Sequence, residues 1–141
     1  MGLEKTEHEY PLIIAVDWDD TMAIGPFDGE QQFDMVMVDK LKAFKEKGAS
    51  LVLWTCRCGS SLADAVNTAK FIGLHFDSVN DDCAAADKIA AEYGLLTMSI
   101  KVYAHLYVDD KAPGSIEHFK SLTPVGTYDE YMAQLRERRE Q

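Results

Sequence analysis

Residues 12–16, Leu-Ile-Ile-Ala-Val, form an unbroken apolar run that stops abruptly at Asp17. A short run without polar alternation predicts a strand buried on both faces, as at the centre of a parallel sheet. Residues 50–55, Ser-Leu-Val-Leu-Trp-Thr, predict a second, and Leu106-Tyr107-Val108 ahead of Asp109-Asp110 predict another. A shorter strand is expected around 76–79. Between the strands the apolar spacing lengthens to three and four residues. Met37, Leu41 and Phe44 mark a helix over 34–47, with Asp34 as its cap and Gly48 as its stop. Leu62, Val66, Ala69 and Ile72 mark a second helix, capped by Ser61 and ending near Gly73. A third runs over about 83–93 and stops at Gly94, and a surface helix is expected over 128–139. Residues 1–9 read as a frayed tail, 20–33 as a loop, and Pro113-Gly114 as a break.

Strands that alternate with helices predict an α/β fold: a Rossmann-like parallel sheet with helices on both faces, where right-handed crossovers put them. With no linker or repeat over 10–141, one domain is expected after the tail. At 141 residues, 47% of them apolar, the chain can build a single core. The net charge of -10 argues against non-specific nucleic-acid binding. It leaves room for a phosphorylated substrate if a metal and a few cations focus positive charge locally. No apolar run reaches the roughly 18 residues of a membrane span, and no signal peptide is read, so a cytoplasmic chain without a membrane partner is expected. Cys56, Cys58 and Cys83 are odd in number, and Cys56-Arg57-Cys58 lacks the other ligands of a zinc site. Met1-Gly2-Leu3-Glu4-Lys5-Thr6 fits the loose N-myristoylation pattern, a common chance match, and reads as a charged tail.

In open parallel sheets, ligands bind at the carboxyl ends of the strands. The first strand here ends in Asp17-Trp18-Asp19-Asp20-Thr21, the second in Thr55, and the last in Asp109-Asp110, with Lys101 upstream. Asp17 and Asp19 are two apart, so an extended chain would put both carboxylates on one side, about 6–7 Å apart. Carboxylates that close repel unless a cation lies between them or one is protonated. With Asp109 and Asp110 they offer a hard oxygen site suited to magnesium. Thr55 would donate to a phosphoryl oxygen and Lys101 would supply a point charge. Taken singly, these residues read better as turn formers, caps and a solvated lysine. Their convergence on one sheet edge is what favours chemistry.

In this set of motifs the chain resembles the haloacid dehalogenase-like superfamily, most of whose members are phosphohydrolases, over roughly residues 11–112. The first motif, an apolar strand and D-x-D-x-[TV], stands as IIAVDWDDT at 13–21. The second is SLVLWT, ending in Thr55. The third is a single lysine, for which Lys101 is chosen, with Lys88 and Lys111 as substitutes. The fourth is LYVDD, ending in Asp109 and Asp110. The resemblance implies that Asp17 attacks phosphorus to give an aspartyl-phosphate. Asp19 would act as general acid and then general base, and its main-chain carbonyl would share magnesium with Asp17, Asp109 and Asp110. Thr55 and Lys101 would hold the transferring phosphoryl group. Dehalogenases of the superfamily lack the second aspartate, so Asp19 favours phosphate chemistry.

Asp20 and Thr21 are expected to bind substrate or else to serve only as turn formers, and many members have Gly where Asp20 stands. Arg57 would grip a substrate anion or form a salt bridge at the rim. The gaps 22–49 and 56–100 leave no room for a cap domain, so the chain resembles capless members. Trp18 and residues 22–29 would form the local wall. An open site implies a large substrate, macromolecules included, or a lid lent by a second subunit, which leaves a homo-oligomer open. Competing readings are a receiver-type phosphoacceptor and a non-catalytic binding protein of the same fold. Receivers carry the phosphorylated Asp on their third strand, whereas D-x-D-x-T here lies on the first.

Overall fold

The computed structural model describes residues 10–26, 29–94 and 102–140. The elements in chain order are β1 (Ile13–Val16), β2 (Ala23–Ile24), β3 (Gln32–Phe33), α1 (Met35–Glu46), β4 (Ser50–Leu53), α2 (Gly59–Phe71), β5 (Ser78–Val79), α3 (Ala84–Tyr93), β6 (Leu106–Val108), α4 (Ser115–Ser121) and α5 (Tyr128–Arg139). The main sheet has four strands, all parallel, in the order β5-β4-β1-β6. This is an α/β architecture with a Rossmann-like core.

The unbroken apolar run follows from the central place of β1. Alternate side chains of a strand point to opposite faces, and here both faces are covered. Leu12, Ile14 and Val16 pack with Met37, Leu41 and Phe44 of α1, Ala65 and Ala69 of α2, Phe119 of α4 and Tyr131 of α5. Ile13 and Ala15 pack with Val52 of β4, Ala86 and Ile89 of α3, and Val102. Among the described helices, four share the first layer and α3 alone supplies the second.

Chain order places the site. From β1 the chain passes to β4 and β5 on one side, then returns to β6 on the other. The reversal opens a crevice at the carboxyl ends of β1 and β6, the switch point of such sheets. Asp34 caps α1 as expected, its Oδ1 accepting the Met37 N–H at 3.1 Å. At the opposite edge, Gly126 receives the Leu12 N–H on its carbonyl at 2.9 Å. A Cβ at Gly126 would sit 1.7 Å from the Lys47 carbonyl oxygen, so only glycine fits there.

Several boundaries depart from the sequence expectations. Residues 20–33 hold the antiparallel hairpin β2–β3, with Ala23 opposite Phe33, and are more than a loop. Its strands are two residues each, too short to show a period. Helix α2 begins at Gly59, two residues before the expected cap, and the Ser61 hydroxyl donates to the Cys58 carbonyl. The strand expected over 50–55 ends at Leu53. Helix α4 was not expected. It starts straight after the Pro113-Gly114 break and buries Phe119 against Phe44, ring centres 5.0 Å apart. No helix among the described residues is long and apolar enough to cross a membrane.

Candidate active site

Asp17 directly follows β1, and its N–H donates to the Val108 carbonyl at 3.0 Å. That bond extends the β1–β6 ladder one step and brings the two acidic segments together. One carboxylate oxygen each from Asp17, Asp109 and Asp110 lies within 4.8 Å of the others. Burial, and next the charge of Asp109, push the Asp17 carboxyl up to about 7. The raised value reflects burial first and the neighbouring carboxylates second. Oxygen donors alone, densely charged, are what a hard divalent ion such as magnesium takes, so the group fits the expected metal.

Thr21 holds this arrangement from beneath. It is 1% exposed. Its hydroxyl donates to Asp17 Oδ2 at 3.3 Å and accepts the Asp110 N–H at 3.0 Å. Thr21, expected to bind substrate, joins the first acidic segment to the last. Ser115, which the sequence did not single out, fixes Asp109. Its hydroxyl accepts the Asp109 N–H at 3.0 Å and donates to the Asp109 carbonyl at 2.8 Å. An ordinary serine after Pro113-Gly114 carries no signal of that role.

The carboxylate of Asp19 lies outside the three-carboxylate group. Beyond β1 the strand period ends, because the Trp18 carbonyl accepts the N–H groups of Met22 and Ala23 in a tight turn. Arg57 grips Asp19 in a fork, Nε to Oδ2 at 2.8 Å and Nη2 to Oδ1 at 2.7 Å. Gln31 of the segment leading into β3 adds a bond from Nε2 to Oδ1 at 2.8 Å and accepts from Arg57 Nη2 at 3.1 Å. The Arg57 guanidinium, foremost, holds the Asp19 carboxyl below its ordinary value. Of the two roles open to Arg57, the ion pair is the one formed here, and the side chain is only 8% exposed.

Asp20 is exposed, with φ at +63°, and donates its N–H to the Ala23 carbonyl at 2.8 Å. A left-handed residue explains why glycine suits this position, and Asp is among the residues that tolerate it. Thr55 lies past the end of β4, beside β1. Its N–H donates to Asn80 Oδ1 at 2.8 Å, and its hydroxyl accepts the Arg57 N–H at 3.2 Å. Asn80, itself at φ +53°, is another positioning residue that the sequence pattern did not reveal. Lys101 lies outside the described residues. Of its substitutes, Lys88 is exposed on α3, and Lys111 places its ammonium 3.9 Å from Asp110 with the side chain 86% exposed.

A cleft of about 380 Å³ opens between the β2–β3 hairpin and α2. Gln31, Phe33, Arg57, Asp64 and Thr68 line it, with Trp18 at its base. Trp18, the expected wall, is 2% exposed and meets the Phe33 ring edge-on at 5.6 Å.

No family model matches the chain, and no curated protein matches it. Among solved structures it is similar to a conserved protein of Bacteroides thetaiotaomicron. The two are 27% identical with a TM-score of 0.61, over 74% of this chain and 79% of that one.

Proposed function

We propose that the chain is a magnesium-dependent phosphohydrolase of the haloacid dehalogenase-like superfamily, in its capless form, acting on a phosphate ester through Asp17. The observation that carries this reading is the meeting of Asp17, Asp109 and Asp110 at the ends of adjacent strands, each with one oxygen within 4.8 Å of the others. The order of the sequence motifs supports it as well.

In this mechanism an Asp17 carboxylate oxygen attacks phosphorus. The new O–P bond forms as the ester P–O bond breaks. Asp19, ionised while Arg57 grips it, would have to leave that fork and carry a proton to donate to the leaving oxygen. It then takes a proton from the water that hydrolyses the aspartyl-phosphate and frees inorganic phosphate. Thr55 and Lys101 hold the transferring oxygens. Asp17, Asp109 and Asp110, with the Asp19 main-chain carbonyl, would hold magnesium, which when bound offsets the negative charge between nucleophile and phosphoryl group. Asp110 and Thr21 keep that acidic wall in register.

The test is release of inorganic phosphate from a panel of phosphate esters by the purified chain. Turnover that needs magnesium and stops with chelator is expected. Full activity after verified metal removal would overturn the metal assignment. No turnover of any ester, with stable labelling of Asp17 by a small phosphodonor, would replace the reading with a phosphoacceptor domain.

A further inference from the structure

The cleft between the β2–β3 hairpin and α2 adjoins the acid–base residue without containing it. Arg57 and Gln31 line the cleft and also hold the Asp19 carboxylate. If Asp19 protonates the leaving oxygen, the cleft beyond Arg57 and Gln31 is the space next to it that could take the body of the leaving group. The volume, about 380 Å³, is in the range of small-molecule sites.

The lining selects the chemistry of its occupant. Among the described residues that line it, the ionisable side chains are Arg57 and Asp64, of opposite sign. Arg57 is already matched by the two oxygens of Asp19. With Asp19 counted, the neighbourhood is net negative, so a second phosphate or a carboxylate meets repulsion there. A purely apolar group would cover the Asp64 carboxylate and the Thr68 hydroxyl without giving them partners, which is costly on desolvation. Hydroxyl groups meet every demand. They donate to Asp64 and exchange bonds with Thr68, while Gln31 stays bonded to Asp19 and Arg57. Asp64 and Thr68 stand four apart on α2 and so share one helix face. Phe33, backed by Trp18, offers an aromatic surface to C–H groups between the hydroxyls.

We propose that this cleft is the leaving-group subsite and that it takes a neutral, hydroxyl-rich group such as a sugar or cyclic polyol, read out by Asp64 and Thr68. The assignment to a leaving group rests on the phosphohydrolase reading. The affinity of the cleft for a neutral polyol does not.

The experiment titrates the full ¹⁵N-labelled chain with D-glucose, D-ribose and myo-inositol, and separately with cyclohexanol and citrate, following amide signals. At least one polyol should move the Gln31 side-chain amide and the Ala65 and Thr68 backbone signals in a saturable way. Thr68→Val should weaken that binding by about three- to tenfold, the worth of one hydrogen bond. Asp64→Asn gives the same test if Thr68→Val fails to fold. Silence with all three polyols, or tighter binding of cyclohexanol or citrate at these residues, overturns the proposal. Polyol binding without any phosphatase activity would retain the site and remove the phosphohydrolase reading. Phosphatase activity without polyol binding would remove the subsite alone.

Discussion

The main-chain N–H of Asp110 donates to the Thr21 hydroxyl oxygen at 3.0 Å, across 89 positions of sequence. The bond ties the turn after β1 to the turn after β6. Because the Thr21 hydroxyl also reaches Asp17, one side chain sets the spacing of the acidic group. Thr21→Val keeps the shape and removes both bonds. It leaves the Asp110 N–H without its partner, so a loss of about 1–3 kcal/mol is expected, measured by urea unfolding. Magnesium affinity, read by calorimetry, should fall as well, and Thr21→Ser should restore most of both. An unchanged magnesium affinity in Thr21→Val would mean that the bridge does not position the acidic group.

Asp17 should destabilise the metal-free fold as pH rises. Its folded value, about 7, lies above the ordinary 3.8. The folded state therefore holds the proton more tightly, and stability falls as pH climbs from about 4 towards 7. Asp17→Asn removes the titration. In chelator it should be the more stable form at pH 8 by on the order of 1–2 kcal/mol after solvent screening, and the gain should vanish near pH 4. The same variant should keep less than about 1% of the activity, a barrier increase above roughly 3 kcal/mol. Thermal melts across pH, with and without magnesium, check the first part. A flat difference between the proteins would show that Asp17 is not strained by its neighbours.

His105 acts in the same window with the opposite sign. The Ile13 N–H donates to its Nδ1 at 2.9 Å, and the ring stacks on Tyr128 at 4.6 Å. Burial lowers its value from 6.5 to about 4. The neutral ring is the folded form, so its contribution is full above 6.5 and is lost as pH falls towards 4. His105→Asn retains an acceptor near the Nδ1 position and does not titrate. It should abolish the acid-side loss between pH 6.5 and 4 in melts corrected for the Asp17 effect. Persistence of that loss in the variant would assign it to other groups.

The strands and most helices were legible because buried strands and amphipathic helices leave strong periods. Leu12–Val16 and the Asp34 cap are examples. The acidic group was legible because apolar runs end in Asp17 and Asp109. The fate of Asp19 was not. Extrapolating the strand period past Val16 puts its carboxylate beside Asp17, whereas the turn closed on the Trp18 carbonyl lets Arg57 and Gln31 take it. Tertiary hydrogen bonds of this kind have no sequence period, and the roles of Ser115 and Asn80 were hidden for the same reason. Lys101, a lone lysine in variable surroundings, lies outside the described residues.

Asp19 offers the sharpest test of the chemistry, and its contacts dictate which variant to use. Asp19→Ala would leave the Arg57 fork, 8% exposed, without its carboxylate, and would confuse folding with catalysis. Asp19→Asn keeps one acceptor for Arg57 and cannot transfer a proton. An alkoxide leaves poorly and needs a proton in the transition state, whereas a nitrophenolate is stable as an anion. Asp19→Asn should therefore slow an alkyl phosphate by about 10²–10⁴ in single turnover and an aryl phosphate far less. With the aryl ester the first step survives while hydrolysis of the phosphoenzyme, now without its base, stalls. The observable is a burst of phenol approaching one equivalent per enzyme, followed by slow turnover, with phosphate held on Asp17. Equal losses for both esters, with no trapped phosphoenzyme, would show that Asp19 moves no proton. Its remaining role would then be to anchor Arg57 and Gln31 and so to hold the hairpin against the sheet edge.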